Sequence, residues 1–132
     1  MKTKIKKIAG GIVLAVMVLM VPISAYAIEY GCNKTYSLRQ LTNQPSSNVK
    51  NQTFEFLASS GTVTVTCTQN TTSGASVSVT ITSQGNTVTG TLNTAGASLS
   101  LPVTPQQYVK VTVTLNTPNT YDFYQGIGTV VN

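Results

Sequence analysis

The chain has no histidine and no tryptophan, and only three acidic residues, Glu29, Glu55 and Asp122. Without histidine, Ser-His-Asp and Cys-His catalysis are excluded, as is every metal site built on imidazole. The three carboxylates are scattered, so there is no Asp-rich loop to give calcium its usual six to eight or so oxygens. Glu55 and Asp122 could in principle form a glycosidase pair. Two carboxylates that share no motif read more simply as separate surface charges. Gly126-Ile127-Gly128 lacks the later glycine and the following helix of a phosphate loop. The residues therefore point to no cofactor, no metal and no enzymatic activity.

Basic charge is scarce where it would matter. The formal net charge is +5, but Lys2, Lys4, Lys6 and Lys7 supply four of the eight basic residues. From Ile28 onward, Lys34, Arg39, Lys50 and Lys110 stand against the three acids, a net +1. Four scattered cations build no phosphate-tracking stripe and no polybasic membrane patch, so nucleic acid and anionic lipid are not expected partners.

The leading lysines have a different meaning. They precede an uncharged apolar run, Ile8 to Val21, which Pro22 and Ser24 break before Ala25-Tyr26-Ala27. A basic start, an apolar centre and a small-x-small end are the parts of a secretory signal peptide cleaved after Ala27. The apolar run falls short of the 20 or so residues that span a bilayer, and no second run follows. The expected organisation is a leader, 1–27, and one exported domain, 28–132, secreted and without a transmembrane segment.

Two cysteines, Cys32 and Cys67, fall in that domain. In a small exported chain one pair predicts one disulfide, worth roughly 3.5–4 kcal/mol for a loop of this length. No C-x-x-C or activating base suggests redox or nucleophilic use. Glu29-Tyr30-Gly31 before Cys32 does not match a lipid-attachment signal. Asn33-Lys34-Thr35, Asn51-Gln52-Thr53 and Asn70-Thr71-Thr72 match the glycosylation pattern, as chance allows in an Asn- and Thr-rich chain.

What the chain has in quantity is alternation. Val63, Val65 and Cys67 share one face of Thr62–Thr68; Val77, Val79 and Ile81 share one face of the next segment. After the hairpin signal Gln84-Gly85-Asn86, Val88, Gly90 and Leu92 alternate with threonines. Gly90, at an inward position, suggests a bulge or the close approach of a neighbouring strand. Leu99, Leu101 and Val103 follow, with Pro102 pointing to an edge or strand end. Val109, Val111, Val113 and Leu115 line the longest strand. Weaker signals place strands at Tyr36–Leu41 and Thr53–Ala58, and a pair of short strands at Tyr121–Tyr124 and Ile127–Val131. Seven to nine short strands at roughly 10–12-residue spacing predict an all-β sandwich, immunoglobulin-like or jelly-roll-like.

Two surfaces are candidates for contact. The first is aromatic: Tyr108, Tyr121, Phe123 and Tyr124, rings with apolar bodies suited to a protein or glycan, unless they cap the sandwich ends. The second is hydroxylic: Thr62, Thr64, Thr66 and Thr68; Thr87, Thr89 and Thr91; and Thr112 with Thr114. If these strands were neighbours, the array would resemble the surfaces of β-type ice-binding proteins. Threonine is also a common polar β-former for a solvent face, and cross-strand threonine pairs stabilise sheets. The expected function is surface contact, as a binding or structural protein at the cell surface or in the extracellular matrix. The partner would be a protein, a glycan or, through low-charge edges, a second copy. The alternatives are an ice-binding or membrane-active protein using its threonine faces, and a small inhibitor using the Thr42–Gln52 segment.

Overall fold

A computed structural model describes residues 28–41, 44–70, 75–118 and 123–132. The expected leader, and Tyr121 and Asp122, lie outside these residues. Among the described residues 67% are in strands and there is no α-helix. The nine strands are β1 (Glu29–Tyr30), β2 (Asn33–Gln40), β3 (Asn51–Leu57), β4 (Thr62–Asn70), β5 (Ser76–Ser83), β6 (Asn86–Leu92), β7 (Ser98–Pro102), β8 (Tyr108–Asn116) and β9 (Tyr124–Val131).

The winding starts at the tip of the β5–β6 hairpin. Gln84 and Gly85 have φ of 51° and 79°. Two successive positive φ values make the type I′ turn whose twist matches paired strands. From that tip the two arms of the chain stay paired as they coil. β4 meets β7 (Thr62↔Pro102), β3 meets β8 (Asn51↔Thr114) and β2 meets β9 (Asn33↔Val131), all antiparallel. Each connection outside the hairpin crosses to the other sheet. The result is sheet I, in the order β2-β9-β4-β7, and sheet II, in the order β1-β3-β8-β5-β6. β1 is the exception to the winding: it pairs with β3 in parallel, through Glu29↔Phe56 and Tyr30↔Leu57.

The all-β sandwich expected from the alternation is what the chain forms, and the inward parities hold. Val63 and Val65 of sheet I meet Val77, Val79, Ile81, Val109, Val111, Val113 and Leu115 of sheet II in one buried cluster with Tyr36, Leu38 and Phe56. Each such side chain contributes about 1.5–3 kcal/mol on burial. Gly90 marks the close approach that its position suggested: Leu99 Cδ1 lies 3.1 Å from where a Cβ would stand. Three details differ. β1 carries no pattern long enough to predict. β2 and β3 each begin two or three residues earlier than expected. Among the described residues the last segment is one strand, β9, which takes in both Tyr124 and Ile127–Val131.

The expected Cys32–Cys67 disulfide is absent, although both residues are buried. The register gives the reason. Gly128 of β9 faces Tyr36 on one side and Cys67 on the other. Cys32 instead lies level with Asn132, whose N–H donates to the Cys32 carbonyl at 2.8 Å. The two cysteines are thus offset by four residues along the strands, about 13 Å, and by two strand spacings, about 9–10 Å. A disulfide needs Cα atoms within about 7 Å. Shared inward parity places two side chains in one core without making them neighbours.

Candidate functional site

Sheet II presents the more ordered outer surface, and register builds it. The outward residues of β3, β8, β5 and β6 fall into cross-strand rows: Asn51–Thr114–Ser78–Thr91, Thr53–Thr112–Thr80–Thr89 and Glu55–Lys110–Thr82–Thr87. Thr112 and Thr114 of β8 are brought into line with Thr87, Thr89 and Thr91 of β6 by the strand between them. Ser78, Thr80 and Thr82 of β5 belong to the site for that reason, as does Thr53 of β3. Their outward parity was visible in the sequence; their position between the two threonine rows was not.

The row Thr62, Thr64, Thr66 lies elsewhere, on the outer face of sheet I. There Thr66 stands beside Thr129 and Ser98, with Thr35 beyond. Thr68 departs from the row. The β4–β9 register shifts between Ile127 and Gly128, leaving Thr68 as the extra residue of a bulge. Its hydroxyl donates to the Ile127 carbonyl at 3.0 Å. The nine threonines therefore divide between the two faces of the sandwich.

Several of these hydroxyls work for the sheet itself. Thr64 and Ser100 hydroxyls lie 2.9 Å apart, and Thr82 and Thr87 3.1 Å apart. The Asn116 amide donates to the Ser78 hydroxyl at 2.5 Å. Such pairs contribute about 0.2–1 kcal/mol each, so part of the threonine content is explained by strand pairing alone.

Of the expected aromatic contact residues, Tyr121 lies outside the described residues, and Tyr108 stands apart from Phe123 and Tyr124. Tyr124 is buried at 1% exposure, at the start of β9 opposite Gln40. Phe123, just before it, is exposed at that same end of the sandwich, while Tyr108 begins β8 at the opposite end. Antiparallel β8 and β9 are joined beyond Asn116, so their first residues cannot meet. Tyr108 has other neighbours instead. It pairs with Leu57 of β3, and Leu57 pairs with Tyr30 of β1. Tyr30–Leu57–Tyr108 is therefore an apolar row across three strands, bordering the row that holds Glu55 and Lys110. Tyr30 and Tyr108 are 62% and 43% exposed. Burial first, and then the influence of the Glu55 carboxylate, push the Tyr108 phenol above its ordinary pKa.

β1 pairs with β3 and carries a surface ion pair to β2, Lys34 Nζ to Glu29 Oε1 at 2.8 Å. The Glu29 bond is the main cause that holds the Lys34 ammonium above its usual pKa. A cleft of about 190 Å³ between the β2 and β3 edges is walled by Lys34 and by Glu29 and Glu55. Of the two carboxylates, Glu29 is engaged by Lys34. A second cleft, of about 490 Å³, lies by Tyr30, Gly31, Ser59 and Asn132. Its floor is tied together by Asn132, which accepts from the Ser59 N–H at 2.7 Å and donates to the Thr62 carbonyl at 2.8 Å. Among the described residues no three His, Cys, Asp or Glu side chains group to hold a metal, and no helix is long and apolar enough to cross a membrane. Compared with protein families, curated proteins and solved structures, the chain matches none.

Proposed function

We propose that this is an exported, non-enzymatic protein of the cell surface or extracellular matrix. It acts by surface contact, with the outer face of sheet II as its contact face. One observation carries the reading: four strands in register present a polar grid, mostly hydroxyls with Asn51 and the charged Glu55 and Lys110, that ends in the row Tyr30–Leu57–Tyr108. Such a face offers hydrogen-bonding groups beside rigid apolar rings, the mixture that glycans and protein surfaces meet. The strand order supports a jelly-roll reading of the sandwich over an immunoglobulin-like one, since the chain winds as a single paired ribbon through both sheets. Export rests on the basic, apolar and small-x-small parts of residues 1–27.

The test is co-sedimentation of the purified protein with isolated envelopes of the producing cell and with insoluble polysaccharides. Wild-type protein should pellet with at least one of these, and Tyr30→Ala/Tyr108→Ala should weaken the affinity about tenfold, since two aromatic anchors together are worth about 1–3 kcal/mol. Binding that is unchanged by the double substitution would remove the face from the account. Turnover of a glycan, ester or peptide that is lost on Glu55→Gln would remove the non-enzymatic reading.

A second reading follows from the same grid. In-register hydroxyl rows across neighbouring strands also suit an ice surface. A thermal-hysteresis assay decides it, with Thr112→Lys expected to abolish any activity that Tyr108→Ala leaves intact.

A further inference from the structure

A two-sheet sandwich has four edge strands, and each exposes a line of backbone N–H and C=O groups that another strand can pair with. Three of the four carry a guard. On β7, Pro102 removes an edge N–H from a strand of five residues. On β2, the Arg39 N–H and C=O are both taken by Val49, at 2.8 and 3.0 Å, and the Ser37 N–H donates to Gln52 Oε1 at 2.8 Å. Lys34 and Arg39 add charge to that edge. On β3, β1 covers the last two residues, and Glu55 lies just before them.

The fourth edge, β6, has none of these. Asn86-Thr-Val-Thr-Gly-Thr-Leu92 holds no charge and no proline. It pairs with β5 without a register shift, and among the described residues no strand pairs with its other side. The two-residue turn makes Ser83 and Asn86 a hydrogen-bonded pair. Alternation then turns the N–H and C=O of Thr87, Thr89 and Thr91 away from β5, toward the open edge.

We infer that β6 is the self-association edge: two copies pair β6 to β6 in antiparallel register about a two-fold axis at Thr89. This inference concerns an edge and stands independently of the contact face proposed above. Thr89 meets its own symmetry mate, and Thr87 meets Thr91, so all three outward N–H and C=O pairs are satisfied in each copy. Threonine lies opposite threonine on the outer face, a favourable cross-strand pairing. On the inner side Val88, half-buried, comes opposite Gly90, where Leu99 fills the space of the missing side chain. Neither copy brings a charge to the seam, so nothing repels. The contact is isologous and closes. It joins two five-stranded sheets into one of ten strands.

The experiment is sedimentation velocity over a concentration series, with amide hydrogen exchange read at low and high protein. The chain is purified from an exporting host. Wild type should form a dimer, and the amides of Thr87, Thr89 and Thr91 should slow with concentration while those of the guarded edges do not. Thr89→Lys and Thr89→Asp place like charges face to face and should each weaken the dimer at least tenfold. Mixing the two variants should restore it as a heterodimer, because residue 89 faces itself only in this register. A protein that stays monomeric to about 1 mM, a dimer indifferent to Thr89→Lys, or a mixture that remains monomeric would each overturn the inference. If a charged variant fails to fold, the exchange measurement on wild type decides alone. Open-ended polymers in place of dimers would overturn the two-fold geometry.

Discussion

Gly128→Ala should be among the most damaging single-methyl additions in this fold. Gly128 sits in β9 at the centre of sheet I, between Tyr36 of β2 and Cys67 of β4. The Tyr36 side chain crosses directly over it and donates its hydroxyl to the Thr66 carbonyl at 3.2 Å. An added Cβ would meet the Thr66 carbonyl oxygen and the Tyr36 hydroxyl and ring. Neither can yield easily: the carbonyl belongs to the backbone of β4, and the ring is fully buried. Overpacking of this kind costs about 1–3 kcal/mol, occasionally more. Losing the Tyr36–Thr66 bond adds about 0.5–1.5 kcal/mol. The expected destabilisation is about 3 kcal/mol, a fall in Tm of roughly 12–20 °C for a domain of this size.

Urea unfolding followed by circular dichroism measures this, and a double-mutant cycle apportions it. Tyr36→Phe alone removes only the hydroxyl and should cost about 1 kcal/mol. Tyr36→Leu should itself destabilise by a few kcal/mol, yet Gly128→Ala made in that background should cost clearly less than in wild type, because the ring is gone while the carbonyl remains. A coupling of about 1 kcal/mol or more is expected for groups in direct contact. Wild-type-like stability of Gly128→Ala, within about 0.5 kcal/mol, would mean that Tyr36 does not lie across β9 and that the arrangement of sheet I is wrong.

Alkaline pH should unfold the protein. Burial raises the pKa of the Tyr36 phenol above its ordinary value of 10.0, and of the Cys32 and Cys67 thiols above 9.0. Below those values both states are protonated and stability is unaffected. Above them the unfolded chain loses protons that the folded chain retains, so stability falls with rising pH, by at most about 1.4 kcal/mol per unit for each group. Urea midpoints should be flat from pH 6 to about 8.5 and drop above it, and Tyr36→Phe should lessen the slope above pH 10. Intact mass should be unchanged by reduction, because the register keeps Cys32 and Cys67 apart; a gain of two hydrogens would require a rearranged sheet I. Gln84→Asn should stabilise by a few tenths to about 1 kcal/mol, since asparagine accepts the positive φ of the hairpin tip more readily than glutamine. A lower urea midpoint would contradict the type I′ geometry.

The alternation that made this chain legible carries one kind of information. Period two states which face a side chain takes, and nearly every inward and outward assignment from Val63 to Leu115 holds in the structure. The hairpin tip and the edge position of Pro102 were legible as well, because glycine and proline act locally. Order across the sheet is a different quantity. It depends on which strands lie side by side, and the Thr62 row reads the same whether it joins the Thr112 row or lies on the opposite face. The disulfide failed for this reason. So did the placing of Tyr108 with Tyr124, since each begins a strand but at opposite ends of an antiparallel fold.

The same distinction bears on what the threonines are for. If strand propensity alone had placed them, both outer faces should be equally uniform, and they are not. Sheet I interrupts its hydroxyls with Ile127 and Val131 on β9, whereas sheet II keeps three rows of polar residues unbroken across four strands and ends them in two exposed tyrosines. Propensity also gives no reason for β6 to lack the charge, proline or bridge that the other three edges have. Both asymmetries fall on sheet II. If β6 pairs with β6, the two contact faces lie side by side in one continuous sheet, and a partner with a repeating surface would meet both at once. Two weak contacts held at a fixed spacing can exceed either alone by about 10²–10⁴ in affinity. On that reasoning, dilution below the concentration at which β6 pairs with β6 should weaken co-sedimentation with an extended partner, while leaving binding to a soluble fragment of it unchanged.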